Sequence, residues 1–199
     1  MNKHGVRPLG LGDSNLIGRI IADGFADDAV NLWAFNSIAA MKPAFTVMAR
    51  HLYLKRGFGH CTQDAQAGTL WLRPGTPKTY GLGNVALAQT ILRHGGVRGL
   101  RNSLAIDACM SRHRAAYPPH YYLFAIAVDP LLQGKGMGGQ LMREALTEVD
   151  KARMPAYLEN SKAQNIGFYR NHGFEIEREI TAAPGCPPMW LMWRPATNT

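Results

Sequence analysis

The chain has 199 residues, 46% hydrophobic and 18% charged, with 22 basic side chains against 14 acidic ones and a formal net charge of +8. That composition excludes a disordered chain, and the length suits one domain with a substantial core. The positive field favours an anionic partner without naming it.

Between Ile91 and His120, Arg93, Arg98, Arg101, Arg112 and Arg114 face only Asp107. No aromatic residues interleave with these arginines, so a solvated helical face is favoured over a nucleic-acid platform. Cys61, Cys109 and Cys186 are odd in number and far apart, which argues against a disulfide framework or a zinc site. No stretch approaches the roughly 18 apolar residues of a membrane span, and MNKHGVRPLG lacks the apolar run of a signal peptide. The expectation is a cytoplasmic protein with no membrane or nucleic-acid partner and no metal.

In chain order, Asp13 or Ser14 can cap a helix running to Phe25, with Leu16, Ile17, Ile20, Ile21 and Phe25 on its inner face. ADDAVNLWAFN reads as an irregular connection exposing Trp33 and Phe35, and a second helix spans about Pro43 to Lys55, ending at Gly57. A weak strand at Gly59 to Gln63 precedes a clearer one from Thr69 to Arg73. Lys78 to Ala116 is mostly helical, with a break near HGGVRG.

HYYLFAIAV, His120 to Val128, is a nearly continuous apolar run and predicts a central strand buried on both faces. Beyond a glycine loop, Met137, Leu141, Met142, Ala145, Leu146, Val149 and Ala152 form one helical stripe that Pro155 ends. PAYLEN reads as a strand, Lys162 to Asn171 as a short helix closed by Gly173, and FEIEREI and PMWLMWR as two further strands. The pattern is an α/β domain with a mixed sheet.

The loop VDPLLQGKGMGGQL admits two readings. Gly134, Gly136 and Gly139 spell the dinucleotide fingerprint G-x-G-x-x-G, while Gln133, Gly136 and Gly138 spell Q-x-x-G-x-G. A dinucleotide turn runs almost directly from strand to first glycine. Here Asp129 to Gln133 intervene, Asp150 falls within the last turn of the helical stripe, and Glu159 comes late. A Walker loop fails as well, because no Gly-Lys-Ser/Thr follows. A buried strand, a proline turn and a glycine run opening a helix can instead aim the backbone N–H groups of Gly134 to Gly139 at one diphosphate, with Lys135 at the rim.

FAIAVDPLLQGKGMGGQLMREAL resembles motif A of the GCN5-related N-acetyltransferases, the GNAT family, whose Q/R-x-x-G-x-G/A loop binds the pyrophosphate of acetyl-CoA. YLENSKAQNIGFYRNHGF resembles motif B of that family at Asn165, Phe168, Tyr169, Gly173 and Phe174. HYYLFAIAVDP, the YLE at Tyr157 to Glu159, WLRPG and MWLMWR resemble the branch containing puromycin N-acetyltransferase. The close resemblance covers about His120 to Arg194.

The resemblance implies a GNAT fold, with a mixed, mostly antiparallel central sheet flanked by helices and splayed at the CoA site. It implies one N-acetyltransferase domain over 1–199: acceptor-side helices and first strands in 1–119, an acetyl-CoA-binding core in 120–180, and a closing strand and tail in 181–199. Acetyl-CoA would be the cosubstrate, held by Gln133, Gly134, Lys135, Gly136, Met137, Gly138 and Gly139, by the backbone of Ile126, Ala127 and Val128, and by Asn165 and Phe168. Tyr169, a phenol protonated at neutral pH, would protonate the leaving thiolate. Glu159 is the preferred base, with His120 or water as alternatives. Trp33, Phe35 and Trp71 could line an acceptor pocket but are more readily core. Arg112, His113 and Arg114 read as a solvated basic turn. The implied activity is acetyl transfer to a primary amine of a small molecule in a ternary complex, by a monomer or homodimer. Protein N-acetylation and non-catalytic acyl-CoA sensing are the alternatives.

Overall fold

In the computed structural model, residues 5–197 are described, so the first four and last two positions of the expected 1–199 domain lie outside the described residues. One seven-stranded sheet runs in the order β1-β2-β3-β4-β5-β7-β6. Its strands are β1 (Val6–Pro8), β2 (Gly57–Thr62), β3 (Ala67–Leu72), β4 (Tyr121–Val128), β5 (Ala156–Asn160), β6 (Glu175–Ile180) and β7 (Met189–Arg194). Every pairing is antiparallel except β4 with β5.

Helices cover both faces. On one lie α1 (Ser14–Gly24), α2 (Ala29–Phe35), α3 (Ile38–Met48) and α5 (Gly83–Ala115), joined in a core with Tyr122, Ala125 and Ala127 of β4. Between α3 and β2 come a π-helical turn (Ala49–Tyr53) and a single turn, α4 (Leu54–Arg56). On the other face α6 (Met137–Lys151) buries Met137, Leu141, Met142, Ala145, Leu146 and Val149 against Tyr121, Leu123 and Leu158. This is the stripe the 3.6-residue periodicity predicts, except that Ala152 is exposed at the C-cap. The short α7 (Ile166–Arg170) follows a 3-10 turn at Ala163–Asn165 and is capped by Asn171, with Gly173, expected to close it, two residues further on at φ +84°.

The N-terminal half departs from the sequence reading. Residues 29–35 are helix, not an irregular connection, and Phe35 is buried with only 4% exposure. Asp28 supplies the N-cap, accepting from Asn31 N–H at 2.8 Å, a signal latent in the DDAVN sequence. The helix placed at about Pro43 to Lys55 starts earlier, at Ile38, and keeps Pro43 inside it. At its far end it opens into the π-helical turn, which sets Tyr53 in a parallel stack on Phe124 at 4.1 Å.

The break expected near HGGVRG is a kink at Gly96, where φ is +68°. A Cβ on Gly95 or Gly99 would stand 2.0 or 2.5 Å from the Phe35 carbonyl oxygen, so these glycines let α5 cross the end of α2 in backbone contact. Asn102 Nδ2 and Ser103 Oγ then donate to the carbonyls of Trp33 and Ala34, satisfying groups a helix end leaves open. Trp71 is wholly buried under α6, the core placement favoured for it, and not part of an acceptor pocket.

Candidate active site

The site forms where the sheet opens. β4 and β5 pair at Tyr121–Ala156, Tyr122–Tyr157 and Leu123–Leu158 and no further, so from Phe124 to Val128 the β5-facing edge of β4 carries no ladder. A register shift against β3 falls between Leu70 and Trp71, leaving Phe124 as the extra residue of β4. Such a bulge bends the bulged strand and re-aims the residues beyond it. Phe124 and Ala125 consequently both join the core on the α1–α3 side, and the strand diverges from β5 just past them. Along Ile126 to Val128 the β5-facing backbone groups of β4 therefore have no strand partner in the opening, while the side chains pack in the core.

At the end of β4, Asp129 caps a 3-10 turn (Pro130–Leu132) by accepting from Leu131 N–H, and Gln133 Nε2 reaches back to the Val128 carbonyl at 3.4 Å. Gly134 and Gly136 have φ of +78° and +85°, values glycine alone adopts freely. Gly136 is the N-cap of α6 and offers no side-chain acceptor to the first-turn N–H groups. Those uncapped donors and the helix dipole make a receptor for an anion such as a diphosphate. A Cβ on Gly138 would touch Phe168 and Val128 at 3.6 Å, so the loop surface is flush with the α7 ring. Lys135 is exposed at the rim, whereas the Met137 side chain is core and contributes only its backbone. These residues fit acetyl-CoA in charge and shape.

Inside the opening lies a cavity of about 280 Å³ that Ile126, Glu159, Asn165 and Tyr169 all line. Asn165 and Tyr169 stand one helical turn apart on the same face, as the sequence spacing implies. Tyr169 is 8% exposed, and burial together with the nearby Asp28 carboxylate raises its pKa above the ordinary 10.0. The phenol is therefore held protonated. Asp28 is fully buried. Its Oδ1 accepts from Asn31 N–H and Nδ2 at 2.8 and 2.9 Å, and its Oδ2 accepts from Ser161 Oγ. With Lys162 paired to Asp27, these bonds tie the α1–α2 connection to the chain leaving β5. Sequence reasoning missed Asp28; only the helix it caps could have pointed to it.

Glu159 is the first β5 residue past the last pair with β4. Desolvation raises its pKa above the ordinary 4.5, opposed by Lys78, Tyr122, Arg114 and Tyr157 in that order. Its Oε1 is enclosed without a hydrogen bond of normal geometry, as are the hydroxyls of Tyr53, Tyr122 and Tyr157 and Nη1 of Arg114. Arg114 lies over the Tyr122 ring at 4.9 Å, so it turns inward, contrary to the solvated turn expected, while Arg112 is exposed as expected. His120 sits away from the cavity in an aromatic cluster with Tyr117, Tyr157 and Trp193, its Nδ1 2.6 Å from the Pro118 carbonyl. Phe35 lines the cavity, and Trp33 does not. Cys61, Cys109 and Cys186 are free and buried. Among the described residues no cluster of three or more metal-type ligands occurs, and no helix is long and apolar enough to cross a membrane.

Residues 99–176 match the family described as Acetyltransferase (GNAT) domain. Among solved structures, the chain is similar to one from Corynebacterium glutamicum described as histone acetyltransferase HPA2 and related acetyltransferase, at 20% identity and TM-score 0.70 over 98% of both chains. It is also similar to the Drosophila melanogaster polyamine N-acetyltransferase that forms N-acetylagmatine, at 13% identity and TM-score 0.61 over 96% of this chain and 99% of that one. A third is the PaiA N-acetyltransferase of Thermoplasma acidophilum, solved with coenzyme A, at 11% identity and TM-score 0.55 over 97% and 99%. At these identities the structures establish the fold. Residues 99–176 thus match a GNAT acetyltransferase domain, and the GNAT fold runs through nearly the whole length of the chain.

Proposed function

We propose that the protein is an acetyl-CoA-dependent N-acetyltransferase that acts on a primary amine of a small molecule by direct transfer in a ternary complex. The observation that carries this reading is one cavity reaching from the unpaired edge of β4 to both Glu159 and Tyr169. In this reading acetyl-CoA supplies the activated acetyl thioester. The N–H groups of Gly134 to Gly139, with Gln133 and Lys135, hold the diphosphate, and Phe168 and Asn165 flank the arm. The free β4 edge at Ile126 to Val128 binds pantetheine as an added strand would, and an N–H there polarises the carbonyl. Glu159, with its raised pKa, takes the proton from the incoming ammonium, and Tyr169 delivers one to the departing thiolate.

The whole chain would act as one domain, with residues 1–119 supplying the acceptor wall. Enclosure by α1, α2, α3 and α5 supports a small acceptor over a protein segment, which needs an open groove. The YLE and MWLMWR segments support placement beside the puromycin N-acetyltransferase branch, although puromycin itself is not implied.

The test is CoA release from acetyl-CoA across a panel of amines, with Tyr169→Phe run in parallel. Turnover should fall about 100-fold or more in the variant, in line with loss of a general acid, while acetyl-CoA affinity is kept. Failure of acetyl-CoA to bind would overturn the reading.

A further inference from the structure

We infer that the acceptor is a monoamine carried on an apolar body, because every uncommitted polar group well inside the cavity lies at its reacting end. The inference rests on the acetyl-transfer reading above and narrows it to a substrate class.

The cavity has polar side chains, but most are already engaged within the protein. Ser103 Oγ donates to the Ala34 carbonyl at 2.9 Å, and Asn160 Nδ2 donates to the Lys162 carbonyl at 2.8 Å. Asn31 and Ser161 both donate to the Asp28 carboxylate. Lys78 Nζ and Asp107 form an ion pair at 2.8 Å, with the lysine side chain only 5% exposed. Asn84 is at the solvent-exposed mouth and can be hydrated. The Tyr80 hydroxyl faces that of Tyr53 without a hydrogen bond of normal geometry, and Tyr53 adjoins Tyr122 beside Glu159, so this hydroxyl belongs to the Glu159 end of the cavity.

Glu159, Tyr169 and Asn165 remain. Glu159 Oε1 has no hydrogen bond of normal geometry, with the Tyr122 and Tyr157 hydroxyls beside it, and among the described residues neither the Tyr169 hydroxyl nor the Asn165 amide is committed to a hydrogen bond. All three lie around the divergence of β4 and β5, where the amine must meet the thioester. The rest of the wall is largely apolar and includes Phe25, Phe35, Phe45, Leu87, Ile91 and Phe124.

This distribution selects by what it leaves unpaired. An alkyl or aryl body removes its own apolar surface from water against those rings and stems. A second ammonium, a guanidinium or a set of hydroxyls would be stripped of water and given no partner in exchange. Asp107, the other carboxylate facing the cavity, already carries the charge of Lys78. Each unsatisfied polar group should cost roughly ten- to hundredfold in kcat/KM, and a cation more. At about 280 Å³ the cavity is near the small end of ligand sites, so the body is small too.

The experiment compares matched pairs at saturating acetyl-CoA. Hexylamine is set against 1,5-diaminopentane, which has the same number of heavy atoms, and 2-phenylethylamine against its 3,4-dihydroxy derivative. The expected result is kcat/KM about 100-fold higher for the apolar member of each pair. Leu87→Asp, which places an anion on the apolar wall, should shrink the hexylamine-to-diamine ratio at least tenfold and leave acetyl-CoA affinity unchanged. If that variant does not fold, the wild-type pairs decide alone. A polar member turned over as fast as its apolar mate overturns the substrate class and leaves acetyl transfer standing. Absence of turnover on every amine, with acetyl-CoA bound, overturns the transfer reading and this inference with it.

Discussion

Asp28 lies on no sequence motif, yet it ties the α1–α2 connection to the chain leaving β5, so Asp28→Ala should be the most costly single truncation near the site. The carboxylate is fully buried and accepts from Asn31 N–H, Asn31 Nδ2 and Ser161 Oγ. Loss of the α2 N-cap costs about 1 kcal/mol. The Ser161 hydroxyl and Asn31 amide left behind add about 1–3 kcal/mol between them, since partial rehydration spares some of the penalty. The sum is roughly 2–4 kcal/mol, or a Tm lowered by about 4–16 °C at the 2–4 °C per kcal/mol usual for chains of this size. Asp28→Asn keeps the shape and one acceptor, and should lose less than half as much. Thermal and denaturant unfolding of the two variants beside wild type measure the difference. The acceptor KM should rise in Asp28→Asn more than the acetyl-CoA Kd does, because the tether holds α2 and not the glycine loop. A loss under 1 kcal/mol in Asp28→Ala would show that the buried network does not anchor the wall.

Glu159→Gln should abolish the basic function and also stabilise the protein at neutral pH. A carboxyl whose folded pKa is raised contributes stability that is full below its unfolded value of 4.5 and is lost as pH rises through the folded value. The variant's Tm should therefore exceed wild type above that window and converge with it below pH 4.5, as thermal melts across pH will read. In wild type kcat/KM should climb as pH rises through the Glu159 pKa, and that limb should vanish in the variant. Gly138→Leu should weaken acetyl-CoA binding at least tenfold with little change in Tm, since its Cβ already meets Phe168 and Val128 at 3.6 Å and the added atoms must enter the anion site. Calorimetric titration gives that result directly. Gly24→Val should distort the same region from the opposite side. Its Cβ would lie 2.9 Å from the Ala127 Cβ, forcing α1 off β4 and lowering both Tm and acetyl-CoA affinity.

The part of the chain legible in the sequence is the part whose pattern is local. The β4 run, the α6 stripe and the glycine loop announce themselves through periodicity and backbone demands, and the structure puts them where those demands require. Asn165 and Tyr169 share a face because helical spacing dictates it. The earlier residues depend on partners distant in sequence. The α2 segment DDAVNLWAF is short and marginal alone, and is held by Asn102 and Ser103 of α5, each 69 positions from the carbonyl it binds. Trp71 reads as core from its type, but its partners on α6 show only in the fold. Arg114 looks solvated beside Arg112 and His113, and only the Tyr122 ring beneath it explains the inward turn. Asp28 and Ser161 stand 133 residues apart, and no spacing rule reaches that far.

The central claim, that the loop after β4 and the splayed strand hold acetyl-CoA, is tested most directly by amide NMR shifts on titrating the cosubstrate into the protein. The account predicts saturable shifts concentrated at Gly134, Gly136, Gly138 and Gly139 and at Ile126 to Val128, with smaller changes at Asn165 and Tyr169. Shifts that cluster elsewhere, or none at acetyl-CoA concentrations that saturate turnover, would contradict it.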